Sequence, residues 1–228
     1  VAAVLLGQAL GPEKLHLLHI DNGLMRLHES AGVLRMFTEI GLDQNLHFVD
    51  ASDTFLAALA DAIEPEAKRR IIGDSFVKVF QHEAERLGIE HHLLGQGTIY
   101  PDTIETGGTK RAQTIKTHHN RVPIIEEMIQ AGKVVEPLAD LYKVEVRELG
   151  ERMGIEHQAL WRHPFPGPGL GVRLLCSDGT QDTEGFEDLI PQTEAIAESY
   201  GLQACLLPIR SVGVKADVRA YEHPVLLS

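Results

Sequence analysis

The sequence lacks long apolar runs: none of its 228 residues belongs to a stretch approaching the roughly 20 apolar residues of a membrane-spanning helix. It also begins without the basic region and cleavage site of a secretory signal, so we expect a globular, cytoplasmic protein that does not act at a membrane. The two cysteines, Cys176 and Cys205, have no further cysteine at zinc-ligand spacing. We therefore expect neither a disulfide framework nor a structural zinc site.

Positive charge is also scarce, because 21 Lys and Arg residues face 33 Asp and Glu residues and the formal net charge is −12. Nucleic acids and anionic membranes select proteins with a positive surface field, so neither is an expected partner. A phosphate-bearing substrate would have to be held by local groups of Lys, Arg and backbone N–H donors.

Short apolar runs alternate with segments of helical periodicity. The strands are predicted at 14–20, 47–50 and 91–94, and the helices at 1–10, 27–40, from about 54, and up to a stop at Gly88. Parallel strands need such crossover helices, so the pattern predicts an α/β fold, a parallel sheet with helices on both faces.

Polar, turn-forming residues follow each of the three predicted strands. They are Asp21-Asn22-Gly23, Asp50-Ala51-Ser52 and Gly95-Gln96-Gly97. Ligands of open parallel sheets bind at the carboxyl ends of the strands. We therefore predict that the three ends share one rim and form the site, although HIDNG at 19–23 is also compatible with an ordinary Asx turn.

A polar stretch from Pro101 to about Val122 has little periodicity and is longer than a usual connection, which is typical of a lid. Asp102 and Glu105 are three residues apart, a spacing at which two carboxylates can face Mg²⁺ or sugar hydroxyls, but surface acids at this spacing are common. The run IKTHHN at 115–120 groups cationic and neutral donors suited to phosphate. Zinc binding is the alternative, disfavoured because adjacent histidines point apart in extended backbone and no third ligand is near.

The remaining residues suggest a second part of the chain. A helix is predicted at 144–153, and 163–170 is so rich in Pro and Gly that it predicts a rigid linker without regular structure. We place the domain change between Pro137 and this linker. Beyond it we predict strands at 174–176 and 205–209 with a helix between them, and the last residues also resemble a strand.

Taken in order, the motifs resemble those of the GMP synthetase family. They are HIDNG, KRRIIGD, QGTIYPDTIE, IKTHHN, EPL, EVRELG, RHPFPGPGL and LLPIRSVGV. KRRIIGDSF taken alone could be a solvated basic helix turn followed by a core face. The resemblance implies an adenine nucleotide alpha hydrolase-like ATP pyrophosphatase over residues 1–140, with its lid at about 101–122. It also implies a linker and part of the family's dimerisation domain over 141–228.

The activity implied is ATP-dependent amination of xanthosine 5′-monophosphate to GMP. ATP, with Mg²⁺, adenylates the C2 oxygen and releases pyrophosphate, and ammonia from a glutaminase domain or subunit then displaces AMP. The resemblance also implies a homodimer. Alternatives are another ATP pyrophosphatase of this fold, of the NAD synthetase or tRNA-thiolating type, and a non-catalytic nucleotide-binding subunit.

Roles follow by resemblance for individual residues. Asp21, Asn22 and Gly23 are expected beside the ATP adenosine, with Gly95, Gln96 and Gly97 on the same nucleotide rim, and Arg69 is expected to contact xanthosine monophosphate. The lid is expected to contribute the acids and donors Asp102, Glu105, Lys116, Thr117, His118, His119 and Asn120, with Lys116 meeting the phosphate charge.

The sequence departs from the family pattern in three respects. It begins just after the place of the family's Ser-Gly-Gly-Val-Asp-Ser phosphate loop, it has no glutaminase domain, and it lacks a C-terminal Lys-Pro-Pro segment. Because the phosphate loop grips the pyrophosphate through backbone N–H groups, we expect this polypeptide by itself to be inactive.

Overall fold

The computed structural model describes residues 1–105, 123–163, 165, 167–176, 185–215 and 218–228. These residues form two compact units. The first comprises Val1–Asp61 with Lys68–Arg173, and the second comprises Ala62–Ala67 with Leu174–Ser228. The predicted domain change near residue 140 falls inside the first unit, and the assignment of 1–140 and 141–228 to two family domains stays a prediction.

The first unit begins with the predicted alternation of helices and strands. The elements are α1 (Ala2–Leu10), a 3₁₀ helix (Pro12–Lys14), β1 (Leu17–Asp21), α2 (Glu29–Glu39), β2 (Leu46–Asp50), α3 (Ser52–Leu59) and α4 (Pro65–Leu87). β1 and β2 pair in parallel, from Leu17 opposite Leu46 to Asp21 opposite Asp50. The α2 crossover makes this parallel pairing possible, as the sequence predicts.

An apolar core lies between this strand pair and the helices. Phe55 of α3 is its centre, with 0% of its surface exposed, and it packs with Ile20, Leu24, Ala51 and Ile72. The partly buried Val49, Leu59, Val79 and Phe80 complete the cluster. The core therefore holds the carboxyl end of β1 against α3 and α4.

The third predicted strand is shorter and pairs differently from expectation. β3 (Leu94–Gly95) pairs in parallel with β4 (Val134–Val135), and no strand pairing joins these two to β1 or β2 within the described residues. The strand expected at 91–94 begins late because the His92 N–H donates to the Ile89 carbonyl at 2.9 Å, which closes a turn after α4. The single three-stranded sheet is therefore corrected to two parallel pairs, still within the α/β class.

Four further α-helices lie in the described part of the first unit. They are α5 (Tyr100–Glu105), α6 (Pro123–Gln130), α7 (Lys143–Arg152) and α8 (His157–Leu160). α7 confirms the helix predicted at 144–153. The prediction of no regular structure at 163–170 is wrong at its end, because a 3₁₀ helix (Gly169–Val172) begins there.

Besides the first three residues of α4, the described part of the second unit contains one further α-helix and two antiparallel strand pairs. α9 (Phe186–Ser199) precedes β5 (Ala204–Leu206), which pairs with β8 (Val225–Leu227), and β6 (Ser211–Lys215) pairs with β7 (Val218–Glu222). β5 ends before Pro208, which has no N–H to donate to a ladder. The strand predicted at 174–176 is wrong: Leu174 and Leu175 lie in irregular backbone and are 57% and 45% exposed, so apolar sequence alone misled there.

Candidate functional site

The chain turns sharply at the carboxyl end of β1, and its own side chains hold the turn. The Gly23 N–H donates to Asp21 Oδ1 at 2.9 Å, and the Leu24 N–H donates to Asn22 Oδ1 at 2.9 Å. Such Asx turns replace backbone partners with side-chain oxygens. Asn22 is only 2% exposed, so its amide is part of the framework beneath the turn.

A short hydrogen-bond chain fixes the Asp21 carboxylate. Ser30 Oγ donates to Asp21 Oδ2 at 2.6 Å, and His19 Nε2 lies 3.0 Å from the same Ser30 oxygen. Because Ser30 uses its only proton toward the carboxylate, His19 must donate from Nε2. Burial lowers the pKa of His19 below its ordinary value, although Asp21 and Glu29 act in the opposite direction. The lowered pKa favours the neutral ring, with its proton on Nε2.

The end of β2 lies beside the end of β1. The Ala51 N–H donates to the Asp21 carbonyl at 2.9 Å, and a Cβ on Gly23 would come within 2.9 Å of the Ser52 Cβ. Asp50 Oδ1 accepts the Ser52 hydroxyl at 2.5 Å and the Ser52 N–H at 3.0 Å. These two bonds lower the pKa of Asp50, so the rim carries an ionised carboxylate.

No strand pairing joins the third strand end to this rim within the described residues. The Gln96 N–H donates to the Val135 carbonyl at 2.9 Å, while the Gln96 Oε1 is buried and has no hydrogen-bond partner among the described atoms. Gly95 lies against Leu6 of α1, and Gly97 borders open space. Strand pairing therefore brings together two of the three predicted strand ends.

Among the predicted lid acids, Asp102 lies at the start of α5. Its Oδ2 accepts the Ile99 N–H at 3.1 Å, which satisfies one unpaired donor of the helix N-terminus. Glu105 is the last residue of α5, one turn later. The predicted roles of Lys116, Thr117, His118, His119 and Asn120 concern residues outside the described part of the chain.

Arg69, the residue expected to contact xanthosine monophosphate, lies half-buried on α4.

A separate hydrogen bond joins the loops that follow β3 and β4. Near the start of the predicted lid, Thr98 is 6% exposed and donates its hydroxyl to Glu136 Oε1 at 2.5 Å. This bond links the loop after β3 to the loop after β4.

One part of the site was missed by the sequence reasoning. The Leu170 N–H donates to the Leu24 carbonyl at 2.8 Å, so the 3₁₀ helix at Gly169–Val172 packs directly on the β1 turn. The sequence places RHPFPGPGL among the family motifs and predicts no structural role for it except that of a linker. The signal that could have predicted this contact is the high glycine content of the motif, because glycine allows close backbone approach.

Arginines on both sides strengthen this contact. The guanidinium carbons of Arg26 and Arg173 lie 4.5 Å and 4.9 Å from the ring centre of Phe165, within cation–π range. Arg26 also donates from Nη2 to the His163 carbonyl at 2.6 Å. Arg162 forms an ion pair with Glu29 at 3.0 Å.

The remaining features of the described ranges concern metal ions and membranes. No group of three or more His, Cys, Asp or Glu side chains is placed there to hold a metal ion. No helix in the same ranges has the length and apolar character to cross a membrane.

Comparison with known proteins gives the family. No protein-family model matches the chain. The chain is 45% identical over 234 residues to the probable GMP synthase (glutamine-hydrolyzing) of Leptospira interrogans. It is 44% identical over 243 residues to GMP synthase (glutamine-hydrolyzing) of Kluyveromyces lactis, and 45% over 240 residues to that of Syntrophomonas wolfei. All three matches cover 100% of the chain.

The chain belongs to the GMP synthase family. It spans 37% of the length of the Leptospira relative and 45% of the other two, so it corresponds to less than half of a GMP synthase. The match confirms the resemblance drawn from the ordered motifs. In this member of the GMP synthase family, RHPFPGPGL contacts the residue that follows HIDNG, although the two motifs are far apart in the sequence.

Proposed function

We propose that this chain is the ATP pyrophosphatase part of a GMP synthase that aminates xanthosine 5′-monophosphate to GMP. The observation that carries the proposal is the similarity of the whole chain to GMP synthases at 42% to 45% identity. We also propose that the first unit has the adenine nucleotide alpha hydrolase-like fold and that the second is part of a dimerisation domain. In this proposal the protein is cytoplasmic and acts as a homodimer, and its function involves neither a membrane nor a nucleic acid.

The geometry of the rim agrees with nucleotide binding. The two adjacent turns after β1 and β2 present carboxylate oxygens and backbone groups at one edge, where α/β folds bind ligands. In this proposal Asp21, Asn22 and Gly23 bind the adenosine of ATP. Gly95, Gln96 and Gly97 continue the nucleotide site.

The remaining roles concern the acceptor and the phosphates. Arg69 contacts xanthosine monophosphate, Asp102 and Glu105 contact nucleotide or its magnesium, and the lid residues Lys116, Thr117, His118, His119 and Asn120 close over both substrates. Mg²⁺ bound with ATP keeps several waters and takes one or two protein carboxylates, so it does not need a cluster of three acids. The ion spreads the charge of the departing pyrophosphate.

In each of the two proposed chemical steps, one bond forms and one bond breaks. The C2 oxygen of xanthosine monophosphate attacks the α-phosphorus of ATP, and the bond to pyrophosphate breaks. Ammonia from a glutaminase domain or subunit then attacks C2, and AMP leaves with that oxygen. Water must be excluded between the two steps, because it would hydrolyse the adenylated intermediate.

The test is an assay of the full-length protein with ATP, Mg²⁺, ammonium and xanthosine monophosphate. We expect AMP, pyrophosphate and GMP to form in equal amounts, and no AMP when the acceptor is omitted. Replacing the acceptor with deamido-NAD separates an NAD synthetase activity. An absence of AMP formation with xanthosine monophosphate, despite ATP binding, would instead favour a non-catalytic nucleotide-binding subunit.

A further inference from the structure

Gly169 makes a close backbone approach to the β1 turn. Its φ is +63°, and a Cβ built there would lie 2.1 Å from the Leu24 carbonyl oxygen and 2.8 Å from the Leu24 carbonyl carbon. Side-chain carbons do not approach other atoms closer than 3.0 Å. Any other residue at this position would therefore have to displace Leu24 by roughly 1 Å, because a packed backbone cannot absorb the overlap in place.

Leu24 is held from two directions. Its N–H donates to Asn22 Oδ1, and its carbonyl accepts the Leu170 N–H at 2.8 Å. The residue is 6% exposed and belongs to the core that includes Phe55. Because residues 22–28 form neither helix nor strand, the shape of this loop depends on such individual contacts.

A second contact with the same loop involves Arg26, two residues after Leu24. Phe165 has the guanidinium groups of Arg26 and Arg173 within 5 Å of its ring centre. Arg26 belongs to the loop after β1, whereas Arg173 follows the 3₁₀ helix that contains Gly169. We call Phe165 and residues 167–173 the docking segment, since together they contact this loop at Leu24 and at Arg26.

We propose that the docking segment shapes the ATP site, with Gly169 as a positioning residue that acts through Leu24 on the turn Asp21-Asn22-Gly23. The inference rests on the proposed function, because that function assigns this turn to the adenosine of ATP. Gly169 itself touches no reacting atom. Its role is to let the segment come close enough to hold the turn in the form that accepts the nucleotide.

The test compares Gly169→Ala with Gly154→Ala in the full-length protein. Gly154 has φ +81° and no atom within 4 Å of a built Cβ, so its variant carries the backbone strain without the overlap. We expect the Kd for ATP, measured by equilibrium dialysis with radiolabelled ATP, to rise at least about tenfold in Gly169→Ala relative to Gly154→Ala, since displacements near 1 Å have effects of this order or larger. The KM for xanthosine monophosphate should stay within about twofold of the wild-type value. A change confined to the ATP turn weakens the binding of ATP and leaves the binding of the second substrate unaffected.

A second variant covers the possibility that Gly169→Ala does not fold. Phe165→Leu keeps an apolar side chain but removes both cation–π contacts, and we expect the Kd for ATP to rise about threefold, in line with the usual strength of such contacts. The inference would be overturned if folded Gly169→Ala and Phe165→Leu bound ATP as tightly as Gly154→Ala does, while the wild-type protein turned over xanthosine monophosphate. An equal loss of ATP and xanthosine monophosphate affinity would also overturn it. A wild-type protein without turnover of xanthosine monophosphate would instead contradict the proposed function.

Discussion

At the scale of single residues, Gly23 is the position where conformation and contact combine. Gly23 and Gly41 both have φ +72°, but only Gly23 faces a neighbour, the Ser52 Cβ at 2.9 Å and Cα at 3.3 Å from a built Cβ. Comparing alanine variants of these two glycines therefore separates the cost of backbone strain from the cost of steric overlap.

We expect Gly41→Ala to lower the free energy of unfolding by about 1 kcal/mol through the left-handed backbone alone. Gly23→Ala should cost about 1 to 3 kcal/mol more, because its Cβ must push the β2 end away. Urea denaturation followed by circular dichroism measures both. Equal losses in the two variants would contradict the close packing of the two strand ends.

Histidines form a second residue-scale feature, at the start of the strand pair. His16 Nδ1 lies 3.1 Å from His47 Nε2, with the rings stacked, and the His92 ring meets His16 edge-on. Burial is the main cause of a lowered pKa at His47, with smaller contributions from His16 and Arg86 and an opposing one from Glu83. The folded state therefore favours the neutral ring.

The sign of the pH effect follows from this lowered pKa. Below the ordinary value of 6.5 the unfolded chain binds a proton at His47 that the folded chain resists, so stability decreases as the pH falls from that value toward the folded pKa. We expect the free energy of unfolding to fall between about pH 7 and about pH 5, and to fall less in His47→Gln. His82→Gln, at an exposed position of α4, should keep the wild-type slope. A wild-type slope in His47→Gln would contradict the assignment.

At the scale of elements, α3 packs on the strand pair through Phe55, which lies in one core cluster with Ile20 of β1. Phe55 and Leu56 are adjacent in α3, yet Phe55 is 0% exposed and Leu56 is 48% exposed. Phe55→Ala should cost about 3 to 5 kcal/mol, because it leaves a cavity at the centre of the core. Leu56→Ala should cost less than about 1 kcal/mol, and thermal unfolding distinguishes them. Similar costs would show that α3 presents a different face to the core.

Elements with both a periodic pattern and a clear end were predictable. β1, α2 and α7 follow from apolar spacing, and β1 and β2 pair as the intervening helix requires. The third strand was displaced because a turn after α4 takes up the His92 N–H, which no periodicity reveals. α5 was not predicted, since six residues are too few for a periodic signal.

The site was predictable only as far as local sequence determines it. The turn at Asp21-Asn22-Gly23 follows from its Asx and glycine residues. The approach of Gly169 to Leu24 joins segments far apart in the chain, and a single sequence contains no signal for which glycine meets which carbonyl. The predicted lid roles from Lys116 to Asn120 stay predictions.

At the scale of the whole molecule, the chain spans less than half of the GMP synthases that it matches, and it forms two compact units. The central claim concerns the activity of the full-length protein, namely that ATP activates the C2 oxygen of xanthosine monophosphate. That oxygen must leave with AMP, because ammonia displaces the adenylate at C2.

The most direct measurement uses xanthosine monophosphate labelled with ¹⁸O at C2, with ATP, Mg²⁺ and ammonium, and mass spectrometry of the products. The account predicts one ¹⁸O atom in the phosphate of each AMP formed together with GMP, and none in pyrophosphate. AMP without the label would contradict it, because the C2 oxygen would then not have attacked the α-phosphorus.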